Sequence, residues 1–232
     1  MGAALLQSNH ANVTAGATTL NIAFLSAVTP GSLLVCYAGS TAATRTFTAS
    51  DGVNGSYNND IASNGGAGSC AILTFPNTAS GTPTITLTIS GAGTEIDAII
   101  EEWSGVQTTT PLDKTVASSG ATVTTGTGGT TATLSQTNEL CLSMLHLNGA
   151  GGTTTPFAAQ SPFTPSPSSP WPSGNGNLTA AGSLLQSTTA AATCTFNWTN
   201  TLNYRSCTAT YKTVQLGQLA PLYSRKYVLF NT

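Results

Sequence analysis

The closest pair of carboxylates in this chain is Glu101-Glu102, followed directly by Trp103. A glycosidase needs two carboxyl groups about 5 to 10 Å apart in a sugar-binding cleft. Successive side chains on a strand point to opposite faces, so Glu101 and Glu102 do not make that pair together. One of them would have to work with Glu95, Asp97 or Glu139, and the plainer reading of each is a surface carboxylate or a buried, hydrogen-bonded one.

His10 and His146 are the only histidines. His146 sits in the apolar run Glu139 to Leu147, where a satisfied strand histidine is expected rather than a base. Cys141 lies five residues before it, an odd spacing that puts the two on opposite faces and excludes a nucleophile–base pair. No Gly-x-Ser-x-Gly elbow leads into a helix. Asp51, Asn54, Asn58, Asn59 and Asp60 offer oxygen ligands for Ca²⁺, but their spacing fits no calcium loop. Gly126, Gly128 and Gly129 fall in a Thr-rich turn rather than a phosphate cradle. Neither metal nor cofactor is expected, and no enzyme.

The five cysteines, Cys36, Cys70, Cys141, Cys194 and Cys207, lack metal-ligand spacing, and most sit in apolar strand patterns as small buried hydrophobes. A two-residue turn at Asn200-Thr201 would place Cys194 opposite Cys207, a candidate cross-strand disulfide. Trp171, flanked by prolines, is the candidate glycan-stacking residue. Trp198 beside Tyr204 could also stack on a sugar ring, although its parity with Phe196 and Cys194 favours the sheet core.

Such sparse chemistry suits the composition. Of 232 residues, 40% are hydrophobic and only 6% charged, with net charge −2, against roughly a quarter charged in ordinary soluble domains. Solubility rests on Thr, Ser, Asn and Gly, as suits a surface packed into an assembly or facing the outside world. No basic footprint points to nucleic acid. Residues 1–7 have no charged n-region, and no apolar run is long enough for a signal peptide or a membrane span.

The elements read as strands throughout. Thr84 to Ile89 alternates, with Ile85, Leu87 and Ile89 on one side and threonines on the other, and Glu95 to Trp103 returns after a turn at Gly91 to Thr94. Ala3 to Gln7, Thr18 to Leu25, Arg45 to Ala49 and Ser69 to Phe75 are further strands, and Asp113 to Ala117 a short one. Ser32 to Ala38 and Glu139 to Leu147 are apolar nearly throughout, as expected of central strands covered on both faces. Ala180 to Ser187, Ala192 to Thr199 and Asn203 to Lys212 follow. Asp51 to Gly68 and the Thr/Gly-rich run to Thr131 read as loops. Gly31 to Ala38 echoes Asn138 to Leu147, and Thr84 to Trp103 echoes Thr193 to Tyr211. These echoes predict two interleaved four-strand sets, hence an all-β, two-sheet antiparallel sandwich of jelly-roll type over residues 1–213.

Two stretches depart from that pattern. Residues 148–177 hold most of the prolines, with Phe157, Phe163 and Trp171 as anchors, and are expected to project as a functional loop or to wrap as an arm. Residues 214–232 form a C-terminal arm carrying Leu219, Leu222, Tyr223, Tyr227, Val228, Leu229 and Phe230, the candidate partner-binding residues. Left free, such an arm is an aggregation hazard; it either completes its own sheet or adds as a strand to a neighbouring subunit.

Pro30-Gly31-Ser32-Leu33-Leu34-Val35, Glu102-Trp103-Ser104-Gly105-Val106 with Thr109-Thr110-Pro111-Leu112-Asp113, and Asn138-Glu139-Leu140 together resemble a β-sandwich module of phage structural proteins and large bacterial surface proteins. The resemblance covers most of residues 18–212 and excludes the Pro-rich segment and the tail. It implies a non-enzymatic sandwich used for display, decoration or adhesion, and supplies no catalytic residues. The resulting expectation is a virion structural protein, made in the host cytoplasm and placed at the virion surface. Its expected partners are other copies of itself and a major shell protein. A carbohydrate-binding or adhesive surface module, with surface glycans as ligands, is the alternative.

Overall fold

A computed structural model describes residues 2–13, 16–66, 68–91, 95–148, 158–169, 171–172 and 178–215, and all regular structure in them is strand. The first half of the chain supplies β1 (Ala4–Val13), β2 (Thr19–Ala23), β3 (Leu33–Ser40), β4 (Phe47–Asp51), β5 (Gly55–Ser56), β6 (Asn58–Gly65), β7 (Gly68–Phe75), β8 (Thr84–Ile89) and β9 (Ile96–Ser104). The second supplies β10 (Leu112–Thr130), β11 (Glu139–Asn148), β12 (Ala158–Ala159), β13 (Thr164–Pro165), β14 (Trp171–Pro172), β15 (Leu178–Gln186) and β16 (Thr193–Tyr211). They form three sheets, ordered β1-β9-β3-β7-β6, β2-β8-β4-β5 and β10-β16-β11-β15-β13, with β12 on β16 and β14 on β15. The strands pair antiparallel, as a β-sandwich requires, in three sheets where two were expected.

Side-chain parity explains the layering. Ile85, Leu87 and Ile89 of β8 are buried against Leu34, Cys36 and Ala38 of β3 and Ile96, Ala98 and Ile100 of β9. The other side of β3, Leu33, Val35 and Tyr37, packs on Leu140, Leu142 and Met144 of β11 and on Cys207 and Ala209 of β16. β3 is therefore apolar at nearly every position because it lies in a middle layer, and each buried Leu, Ile or Val contributes about 1.5–3 kcal/mol.

The long strands β10 and β16 fold back on themselves. Their pairing runs from Leu112↔Tyr211 to Gly120↔Tyr204, shifts at Val123↔Leu202, and resumes from Thr125↔Asn197 to Thr130↔Thr193. The far end then lies over the near end, so Cys194, Phe196 and Trp198 roof Cys141, Leu145 and Leu147 of β11. Thr208 Oγ1 donates to the Gly128 carbonyl at 3.0 Å. That approach requires glycine, because a Cβ at Gly128 would stand 2.2 Å from Ser143 Oγ and 2.3 Å from Thr208 Oγ1.

The two halves are built alike. β3 and β11 are each central strands, with β9 and β7 flanking the first as β16 and β15 flank the second. Leu33 pairs with Trp103 as Leu140 pairs with Tyr211. Gly31 (φ 85°) and Asn138 (φ 58°) make the same left-handed turn before the central strand. The Val28 N–H donates to Gly81 O, and the Leu134 N–H to Thr189 O, in matching places. The counterpart of β1 and β2 together is the single strand β10, and that of β8 and β9 is the single strand β16. The sequence echoes thus mark two sandwiches packed through their main sheets, not two interleaved strand sets.

Several boundaries differ from expectation. Asn200-Thr201 is not a hairpin turn: β16 runs through it as one strand paired with β10. Residues 51–68, expected as a loop, include the edge strand β6, whose Asn/Ser-rich sequence leaves only Ile61 and Ala62 as apolar markers. The Thr/Gly-rich run to Thr131 belongs to β10, polar because much of it is exposed. Of the Pro-rich segment, residues 158–169 lie along β15 and β16 rather than projecting, with Phe163 buried as an anchor.

Candidate functional site

The acidic residues converge on the inside of the molecule. Glu101 and Glu102 face opposite sides of β9, as strand geometry requires. Glu101 Oε2 accepts from Tyr37 Oη and Trp103 Nε1, both at 2.8 Å. Glu102 accepts from Gln7 Nε2 at 2.6 Å, the Thr29 N–H at 2.6 Å and Ser32 Oγ at 2.9 Å. Both are buried, and burial pushes the Glu101 carboxyl above the usual range despite the donors around it. Glu139 is buried too, accepts from the Gln136 N–H at 3.1 Å, and is pushed up by burial. Held by several neutral donors each, Glu101 and Glu102 position strands and stretches of loop rather than reacting atoms.

At the seam between the halves, His146 of β11 meets Asp97 of β9. Nδ1 stands 3.7 Å from Asp97 Oδ2 and 3.0 Å from Thr179 Oγ1. All three residues are inaccessible to solvent. Burial pushes the imidazole down to about 4 and the Asp97 carboxyl up, so desolvation favours the uncharged form of each. His146 is a core histidine and not an exposed base. Cys141 faces the core under Phe196 and Trp198 on the other side of β11, as the odd spacing requires.

A second seam contact opens to solvent. Asp60 Oδ2 of β6 accepts from Thr74 Oγ1 at 2.6 Å and from Tyr211 Oη at 2.8 Å, tying the first half to β16. Asp60 lines a cleft of about 420 Å³ with Asn58, Thr74, Pro76, Thr110, Pro111 and Leu112. Partial burial raises its carboxyl against two lowering hydroxyl bonds. This polar cleft is open to a ligand, whereas the sequence offered Asn58 and Asp60 only as members of a polar loop whose spacing fits no calcium site. Nothing in strand periodicity joins Asp60 to Tyr211, 151 positions away.

Asp51 is consumed by its own turn: its carboxylate accepts from the Val53 and Asn54 N–H groups, from Asn54 Nδ2 and from Tyr57 Oη. Among the described residues no group of His, Cys, Asp and Glu is placed to hold a metal ion. The cysteines are free thiols. Cys194 and Cys207 do not face each other, since they lie on one continuous strand and in different cores. Cys207 instead touches Cys70, with Sγ–Sγ 3.6 Å. Trp198 packs at 5.8 Å edge-on to Tyr204 and donates to Val123 O, confirming it as core. Trp171 pairs through its backbone with Thr179, and its side chain lies outside the described residues. So do Leu219, Leu222, Tyr223, Tyr227, Val228, Leu229 and Phe230.

No protein-family model and no curated protein matches the chain. Among solved structures, the crystal structure of the STIV MCP is similar at TM-score 0.29 and 12% identity, covering 95% of this chain and 99% of that one.

Proposed function

We propose that the protein is a non-enzymatic virion structural protein that decorates or stabilises a capsid or tail, with copies of itself and a major shell protein as partners. The observation that carries this reading is apolar surface left open on a charge-poor molecule. Leu25 is 73% exposed and Leu6 45%, and the Leu25 N–H donates to Oε1 of Gln7, the residue after Leu6. Leu185 is exposed as well, beside Gly2 at the start of β1. With 6% charged residues, little repulsion opposes association through such surface. Buried Glu101 and Glu102, bonded to neutral donors, support a framework role over a catalytic one. The C-terminal segment 214–232 is the proposed arm, and its apolar residues the proposed partner contacts.

Native mass spectrometry and light scattering of the purified protein test this. A stable homo-oligomer, or co-sedimentation with an abundant shell protein, supports it; a clean monomer that binds neither sinks it.

The cleft at Asp60 favours one second reading, a carbohydrate-binding or adhesive module, because Asn58 and Asp60 present hydrogen-bonding groups beside the apolar rims of Pro76, Pro111 and Leu112. Glycan-array binding lost in both Asp60→Asn and Trp171→Ala would favour it. A bare array would remove it.

A further inference from the structure

Cys70 of β7 and Cys207 of β16 belong to different halves, 137 positions apart, and their sulfurs are 3.6 Å from each other. Neither is accessible to solvent. Cys207 Sγ also stands 3.8 Å from the Cys70 carbonyl oxygen, so the two strands come close at this point. Ala181, Ala209 and Ile72 share the same seam, and the small alanines let the sheets approach. The side chains point at each other from facing layers, and a bond at about 2.05 Å needs the sulfurs to close by about 1.5 Å.

We propose that Cys70 and Cys207 are a modification site, forming a disulfide that locks the two halves together when the protein meets a small-molecule disulfide such as oxidised glutathione. One protein thiol gives up its proton and attacks a sulfur of the oxidant, releasing one thiolate. The second protein thiol gives up its proton and attacks the protein sulfur of that mixed disulfide, releasing the other. Two protein S–H bonds are lost, one protein S–S bond forms, and the oxidant is reduced to two thiols. Burial and the neighbouring sulfur hold the Cys207 thiol well above its usual range, so exchange proceeds through opening of the seam and is slow in the closed fold.

The remaining cysteines are placed elsewhere: Cys36 in the core between β3 and β8, Cys141 and Cys194 in the core with Phe196 and Trp198. One bond between Cys70 and Cys207 therefore leaves three thiols. It closes a long loop across the molecule and restricts the unfolded chain.

The test uses the whole chain, incubated with oxidised glutathione under mildly destabilising conditions, refolded, then alkylated in denaturant and weighed intact. The expected result is three alkylated cysteines, a linked peptide containing Cys70 and Cys207, and a rise in Tm of about 5 °C or more that dithiothreitol reverses. Cys207→Ala should show four alkylated positions after the same treatment. Five alkylated thiols in the wild-type chain, a stable glutathione adduct, or a link between other cysteines would overturn the assignment. The wild-type comparison with and without reductant decides the matter even if the variant does not fold.

Discussion

The hydroxyl of Tyr211 donates to Asp60 Oδ2 at 2.8 Å, joining β16 of the second sandwich to the edge strand β6 of the first. Tyr211 is the counterpart of Trp103, whose Nε1 donates to Glu101. In each half the aromatic that closes the last strand hands its polar tip to a carboxylate, and the two carboxylates lie at the seam. The interface between halves is thus apolar in area and specified by a few polar pairs.

Tyr211→Phe keeps the ring and deletes the donor, leaving Asp60 Oδ2 with Thr74. A cost of about 1–2 kcal/mol is expected, since a partly buried acceptor loses one partner. It should appear as a lower urea midpoint with an unchanged m-value. Wild-type stability in the variant would mean that the contact does not hold the seam.

Straight strands, whose pattern of covered faces is unbroken along their length, were legible in the sequence. β8 shows its alternation, β3 and β11 their double coverage, and Glu101 and Glu102 their opposite facing. The bent strands were not. β16 crosses from one layer to the next at Asn200-Thr201, and polar residues at a crossing look the same as polar residues in a turn. β10 is Thr- and Gly-rich because glycine is needed for close passage over Ser143 and Thr208, a reason visible only once those residues are overhead. The cysteine pairing failed with the supposed turn, and the pair Cys70–Cys207 depends on two sheets meeting, which no local pattern encodes.

Gly128→Ala tests that close passage. The added methyl meets Ser143 Oγ and Thr208 Oγ1 at well under contact distance, so the folded-over end of β10 must lift. A loss of about 2 kcal/mol or more is expected. Gly52→Ala, with open space around it, is the control and should stay within about 0.5 kcal/mol of wild type. Equal behaviour of the two variants would contradict the fold-back of β10.

His146 gives a pH dependence with a definite sign. Its folded value is depressed from 6.5 to about 4 by burial, so between those values the unfolded chain binds more protons than the folded one. Stability from this group is whole above pH 6.5 and is lost as the pH falls toward 4. Asp97, pushed up beside it, acts in the opposite direction: its contribution is present at low pH and fades as the pH rises through its folded value. The histidine term is isolated by comparing wild type with His146→Gln across this window. Wild type should lose about 3 kcal/mol relative to the variant between pH 6.5 and pH 4. Parallel stability curves would mean that His146 does not carry the dependence.

Ending the chain after Gln215 separates folding from assembly. The last described bonds are retained in that variant: the Val214 N–H to Gly105 O at 2.9 Å and Gln215 Nε2 to Thr137 O at 3.0 Å. Among the described residues the last strand ends at Tyr211, and under the proposed function the urea midpoint should shift by no more than about 0.5 kcal/mol in stability. Under the proposed function the removed residues, Leu219, Leu222, Tyr223, Tyr227, Val228, Leu229 and Phe230 among them, bind a neighbour. Light scattering should then report a fall from oligomer to monomer, or loss of co-sedimentation with the shell. If truncation instead abolishes folding, those residues belong to this chain's own sheets, and the neighbour must be held by the exposed edge at Leu6 and Leu25. A Leu25→Ser variant distinguishes the two cases, since at 73% exposure it should cost little stability and weaken assembly only if that edge is the contact.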